Sequence, residues 1–138
     1  MFWMSVIFIA STHLGAPNNT SWFIRPFLYW LDPHMSQADY EKWHHFIRKC
    51  AHFTEYAILG TIAWRAFHHG GGQAAGNSSR SFRLAILFCA LYASSDEFHQ
   101  SFVPDRQPAV LDVMLDTSGA ACGLLLIWSV RRLRKAQS

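Results

Sequence analysis

Charge is scarce in this sequence: Asp, Glu, Lys and Arg make up 15% of its 138 residues, where soluble domains carry about a quarter. A chain this short has room for one domain, not for a soluble catalytic unit beside a separate anchor. Cysteine is scarce as well. The three residues Cys50, Cys89 and Cys122 are odd in number and show no CxxC spacing, which gives no footing to a disulfide framework, a zinc ribbon or a dithiol redox centre. Each sits in an apolar stretch and reads as a buried apolar filler. No HExxH, nucleophile elbow or established phosphatase motif announces a reaction class. No interleaving of basic and aromatic residues favours nucleic acid as a partner. The apolar N-terminus has neither a basic leading region nor a clear small-residue cleavage site, so it is expected to be a retained helix rather than a signal peptide.

What the sequence does have is aromatic side chains, 15% of residues with six Trp, a composition suited to a chain partly dissolved in lipid. The mean hydropathy of +0.06 is low for a polytopic protein, and on the average alone a compact soluble helical domain stays open. The distribution decides. Four segments, residues 1–14, 43–67, 82–102 and 109–130, are apolar and are separated by stretches rich in Pro, Asn, Gly and Ser. A span needs about 20 residues to cross a hydrocarbon core of roughly 30 Å, which the last three satisfy and the first reaches only with mismatch or help from the turn after it. Residues 15–42 hold Pro17, Pro26 and Pro33 together with the aromatics between Trp22 and Trp30, and suit a re-entrant or interfacial path. The expectation is an all-α integral membrane protein, a single domain of about four transmembrane helices with a short or partly re-entrant N-terminal segment. The link at residues 103–108 is short enough to fold the third and fourth segments into an antiparallel hairpin.

Arg65, Arg80 and Arg83 flank the glycine-rich stretch that begins at Gly70, and Arg131, Arg132, Arg134 and Lys135 follow the last apolar run. The positive-inside rule places both clusters, and both termini, in the cytoplasm of a multi-pass membrane protein. Residues 15–42 and 103–108 then lie outside.

Arg48, His52, Glu55 and Leu59 fall at i, i+4, i+7 and i+11 and share one helical face, with Tyr56 adjoining. Asp96, His99 and Gln100 share a face near the end of the third segment, with Glu97 pointing elsewhere. Asp112 and Asp116 lie one turn apart in the fourth, and Gly119 and Gly123 continue their line. The topology brings all three polar ends to the outer side. Charged groups inside a span cost several kcal/mol, by contested estimates, and therefore tend to face a cavity and pair with one another. The alternative is structural: Arg48 or Lys49 snorkels while Asp96 and Asp112 neutralise buried cations. Gly119, Ala120 and Gly123 read as a close-packing surface of the GxxxG kind.

At these residues the chain resembles the VanZ-like family of membrane proteins, named for a teicoplanin-resistance accessory protein. The matching motifs are Arg48-Lys49-Cys50-Ala51-His52-Phe53-Thr54-Glu55-Tyr56 with Leu59-Gly60, then Asp96-Glu97-Phe98-His99-Gln100 with Phe102-Val103-Pro104-Asp105-Arg106, then Asp112, Asp116, Gly119 and Gly123, spanning residues 43–125. Asp105 stands where a small residue such as Gly is expected. The resemblance implies a plasma-membrane protein of the cell envelope, linked in some members to glycopeptide resistance, and supplies no reaction.

Three functions remain open. In the first, His52, Glu55, Asp96, His99 and Asp112 form a catalytic set, with Arg48, Tyr56, Gln100, Arg106 and Asp116 binding a lipid-linked or cell-wall substrate. Such oxygen and imidazole donors could hold a divalent metal, although their spacing selects none. In the second, the same pocket binds or transports an anionic lipid or envelope ligand without chemistry. In the third, the charges only hold a membrane scaffold together.

Overall fold

The computed structural model describes residues 2–11, 17–70, 78–102 and 109–137, and their regular structure is entirely helical: α1 (Phe2–Ser11), α2 (Pro17–Leu31), α3 (Gln37–His69), α4 (Ser78–Gln100) and α5 (Val110–Ala136). Five helices thus stand where four apolar segments are legible. The additional one is α2, which occupies the segment expected to follow a re-entrant or interfacial path. Proline does not prevent it, because Pro17 takes the first helical position, where no N–H is needed, and Pro26 lies inside the helix.

At 1.5 Å per residue α1 is about 15 Å long, half a hydrocarbon core, while α3 reaches about 50 Å. The extra length of α3 lies at its start, ahead of the apolar run. There Ser36 and Asp39 cap each other: the Ser36 hydroxyl accepts from the Asp39 N–H (3.1 Å) and donates to the Asp39 carboxylate (2.7 Å). That hydrogen bond, with Lys42 beside it, holds the Asp39 carboxyl below the usual carboxylate range. At the far end the Gly70 N–H donates to the Ala66 carbonyl (2.8 Å).

The heart of the fold is α3, α4 and α5, with α3 and α5 parallel and α4 antiparallel to both. The order of contacts fixes this: along α3, Lys49, Phe53, Ala57 and Trp64 meet Asp112, Gly119, Gly123 and Arg131 in ascending order, whereas Tyr56 and Phe67 meet Tyr92 and Phe88 in descending order. The small residues permit a very close α3–α5 approach, as their spacing predicts. A Cβ on Gly119 would strike the Phe53 carbonyl, one on Gly123 the Ala57 carbonyl, and one on Gly60 would lie 2.9 Å from the Ala120 carbonyl.

The core is thin and built of Ile7, Tyr56, Leu59, Cys89, Ala93 and Ala120, extended by Ala63, Trp64, Ala85 and Leu124. Ile58, Ile62, Leu87, Leu91, Met114, Leu125 and Leu126 are exposed on the outside. Polar groups turn inward instead: Ser81, Asp96 and Asp116 are buried. Of the described helices, α5 alone is long and apolar enough over its own sequence to cross a membrane, with a mean hydropathy of 1.7 over an 18-residue stretch within residues 110–134. Two of the cysteines depart from expectation. Cys89 is buried, but Cys50 and Cys122 are exposed, because they lie on faces directed away from the bundle and an apolar neighbourhood in sequence does not say which side of a helix is inward.

Candidate functional site

The polar ends of α3, α4 and α5 meet at one end of the bundle. Tyr56 is wholly buried, Asp96 is 4% exposed and Asp116 6%. The Asp96 and Asp116 carboxylates act electrostatically on the Tyr56 hydroxyl, and Asp96, Asp112, Glu97 and Glu55 act on Asp116. The Tyr56 hydroxyl has no hydrogen-bond partner among the described residues. Gln100, one turn beyond Asp96, donates from Nε2 to Asp96 Oδ2 at 2.9 Å.

His52 and Glu55 form the second tier. Both are largely buried, with His52 Nδ1 3.8 Å from Glu55 Oε2, a separation that permits charge attraction but is too long for a hydrogen bond. The Glu55 backbone carbonyl accepts from the Trp3 indole at 2.9 Å, and the Tyr92 hydroxyl donates to the Met4 carbonyl at 2.7 Å. These two bonds tie short α1 across α3 and α4. Its Phe8 ring lies 4.7 Å from the His99 ring, and a cavity of about 270 Å³ opens there, lined by Phe8, Tyr92, Ser95, Asp96, His99 and their neighbours. Asp96 and His99 therefore share a cavity, as their spacing on α4 predicts.

Asp112 has a different setting from Asp116. It pairs with Lys49 across α3 and α5, both side chains about one-third exposed. This is one half of the structural alternative, in which Asp112 neutralises a cation, although the pair is partly exposed rather than buried. Glu97, which points away from the Asp96 face, accepts from the Ala109 N–H at 2.6 Å and so caps α5, whose N-cap residue Ala109 supplies no side-chain cap of its own. Sequence spacing identifies the outlying direction of Glu97 but not the partner. Arg48 lines a separate cleft between α2 and α3. Arg106, with Pro104 and Asp105, lies outside the described residues, as do residues 71–77 of the glycine-rich connection. Among the described residues no three His, Cys, Asp or Glu side chains are grouped so as to hold a metal ion, and no metal is assigned.

The described residues define the class, a small all-helical bundle with carboxylates in its interior and one helix, α5, long and apolar enough to cross a membrane. The sequence model of the VanZ/LLP1 family matches residues 1–132, and the chain belongs to that family. The match extends well past the residues 43–125 that carry the motifs and takes in α1 and α2. Comparisons with curated proteins and with solved structures find no match.

Proposed function

We propose that this is a VanZ-like protein of the bacterial plasma membrane whose interior carboxylates act on a lipid-linked or cell-wall substrate at the outer face, with glycopeptide (teicoplanin) resistance as the family-level consequence. In this reading α3, α4 and α5 cross the membrane, α3 and α4 with their polar stripes turned inward and α5 ending in the cytoplasm, while α1, half a span long, packs beside their polar ends. The observation that carries this reading is the Tyr56 hydroxyl, wholly buried, without a partner among the described residues, and within electrostatic reach of the buried Asp96 and Asp116 carboxylates. A scaffold gains nothing from an unsatisfied buried hydroxyl, which costs about 1–3 kcal/mol. A substrate or bound water there would satisfy it.

In this reading Asp96, Glu55 and Asp116 supply proton-transfer groups, Tyr56 donates to a developing negative charge, and His52 and His99 set the charge around the carboxylates. Arg48 and Arg106 hold an anionic part of the substrate. Asp112, paired with Lys49, positions α5 against α3.

The test is teicoplanin susceptibility of bacteria expressing wild type, Asp96→Asn, Tyr56→Phe or Lys49→Met protein at equal membrane abundance, with lipid-linked precursors quantified by mass spectrometry. The expected result is loss of any protection and of any precursor change in Asp96→Asn and Tyr56→Phe, with Lys49→Met retaining both in part. Asp96→Asn and Tyr56→Phe behaving as wild type in both measurements would sink the reaction. If the only effect is loss of folded protein in all three variants, the scaffold reading replaces it.

A further inference from the structure

A second polar site lies outside the carboxylate cluster, between α2 and the first turns of α3. This cleft of about 440 Å³ is lined by Arg25, Tyr40, His44, His45 and Arg48, with Glu41 and Gln37 at its rim. Its balance of charge is opposite to that of the carboxylate pocket: two guanidinium groups against one carboxylate, with two imidazoles beside them. Glu41 is exposed, and Gln37 Nε2 donates to it at 3.2 Å. Arg25 is pre-positioned by two rings, its guanidinium carbon 5.6 Å from the centre of Tyr29 and 5.9 Å from that of Tyr40. Tyr40 is 7% exposed, and its hydroxyl has no hydrogen-bond partner among the described residues.

Around the cleft the surface is aromatic. Trp22, Phe27 and Trp30 on α2 and Trp43 and Phe46 on α3 are all exposed, and Trp is the side chain that concentrates at the lipid-water boundary. An arginine pair with a buried hydroxyl donor, set at that level, matches a phosphate group: planar guanidinium forks bind its oxygens, and a hydroxyl supplies a further donor.

We infer that the α2–α3 cleft, through Arg25, Arg48 and Tyr40, is a binding site for the phosphate of an anionic lipid headgroup. The inference goes beyond the chemistry proposed above and requires none of Asp96, Asp116 or Tyr56. It shares only Arg48 with that reading, and it gives α2 a function: to close a phosphate site over α3.

The experiment is native mass spectrometry of the full chain released from nanodiscs made of phosphatidylglycerol or of phosphatidylcholine, with and without millimolar inorganic phosphate. Wild type and Asp96→Asn are expected to retain phosphatidylglycerol on the order of tenfold more than phosphatidylcholine, and Arg25→Gln to lose that preference. Tyr40→Phe, which keeps the ring under Arg25, reduces it by a smaller factor. Competition by inorganic phosphate assigns the recognition to the phosphate itself, whereas retention unaffected by it places the glycerol headgroup in the site as well. Arg25 is exposed, and circular dichroism checks that Arg25→Gln keeps wild-type helicity; Arg48→Gln serves as the second variant. Equal retention of the two lipids, or an Arg25→Gln, Arg48→Gln pair that both keep the preference, overturns the inference. Lipid preference intact in Asp96→Asn while its protection is lost separates the two sites.

Discussion

Replacing Gly123 by alanine sets two general effects against each other, and the close approach of α3 and α5 decides the sign. In an exposed helix the change is favourable, since alanine is a better helix former than glycine by about 0.8–1 kcal/mol. Here the added Cβ would face the Ala57 carbonyl group, 2.9 Å from its carbon and 3.0 Å from the Ala57 Cα, where ordinary contact lies at 3.4–4 Å. All three neighbours are backbone, which no rotamer change can move aside. The helices must separate by roughly half an ångström or more, and overpacking of this kind costs about 1–3 kcal/mol. With the propensity gain set against it, Gly123→Ala leaves a net destabilisation of up to about 2 kcal/mol. The measurement is unfolding in mixed micelles by rising SDS fraction, followed by circular dichroism. Cys122→Ala, one residue away and exposed, serves as the reference and moves the midpoint by no more than about 0.5 kcal/mol. Gly123→Ala unfolding later than wild type, by the amount propensity predicts, would refute the close-packed interface.

Two further outcomes follow from the bonds at the first turns of α3 and α5. In a double-mutant cycle in the same micelles, Lys49→Met and Asp112→Asn each lower stability by about 1 kcal/mol, and the double variant costs less than their sum because the pair is broken only once; strict additivity would show that the pair contributes nothing. The Ser36–Asp39 cap should respond to acid. Because the folded Asp39 carboxyl lies below its ordinary value, the cap's contribution is present at neutral pH and is lost as pH falls through that lowered folded value. Hydrogen-exchange protection at the first turn of α3, taken relative to the intrinsic rate at each pH, should therefore fall at acid pH in wild type and show no such step in Asp39→Asn; identical profiles would remove Asp39 from the cap.

The three long helices are legible in the sequence because each signal points the same way. The polar positions of α3, α4 and α5 recur at helical spacing, and Gly70 ends α3 where the apolar run stops. Helix α2 is not legible as a helix, since three prolines between residues 17 and 33 hide a 15-residue element that one of them starts. The convergence of Tyr56, Asp96 and Asp116 follows from periodicity plus topology. The partners of individual charges do not: that Lys49 takes Asp112, or that Glu97 caps α5, depends on helix rotation and axial offset, which spacing within one helix leaves undetermined. Arg25, Tyr40 and His44 are invisible for the same reason, because the cleft exists only once α2 docks on α3. The exposure of Cys50 and Cys122 follows another rule. Where the exterior is apolar, an apolar neighbourhood marks either side of a helix.

That rule also accounts for the low mean hydropathy, and links it to the site. In α4 the buried positions are Ser81, Ala85, Cys89, Ala93 and Asp96, while Leu84, Leu87 and Leu91 are exposed. Small and polar residues face in and large apolar residues face out, the reverse of a soluble helix. An average over the helix mixes the two faces, so the inward stripe lowers the mean without altering what the surroundings meet. Only α5, whose second half carries no acidic residue, keeps an average high enough to register as a span by itself. For α3 and α4, then, part of what lowers the hydropathy, beside charged residues at the helix ends, is the set assigned here to function, His52, Glu55, Asp96 and His99 among it. Removing them would make the helices better membrane spans by composition and leave the pocket without its chemistry.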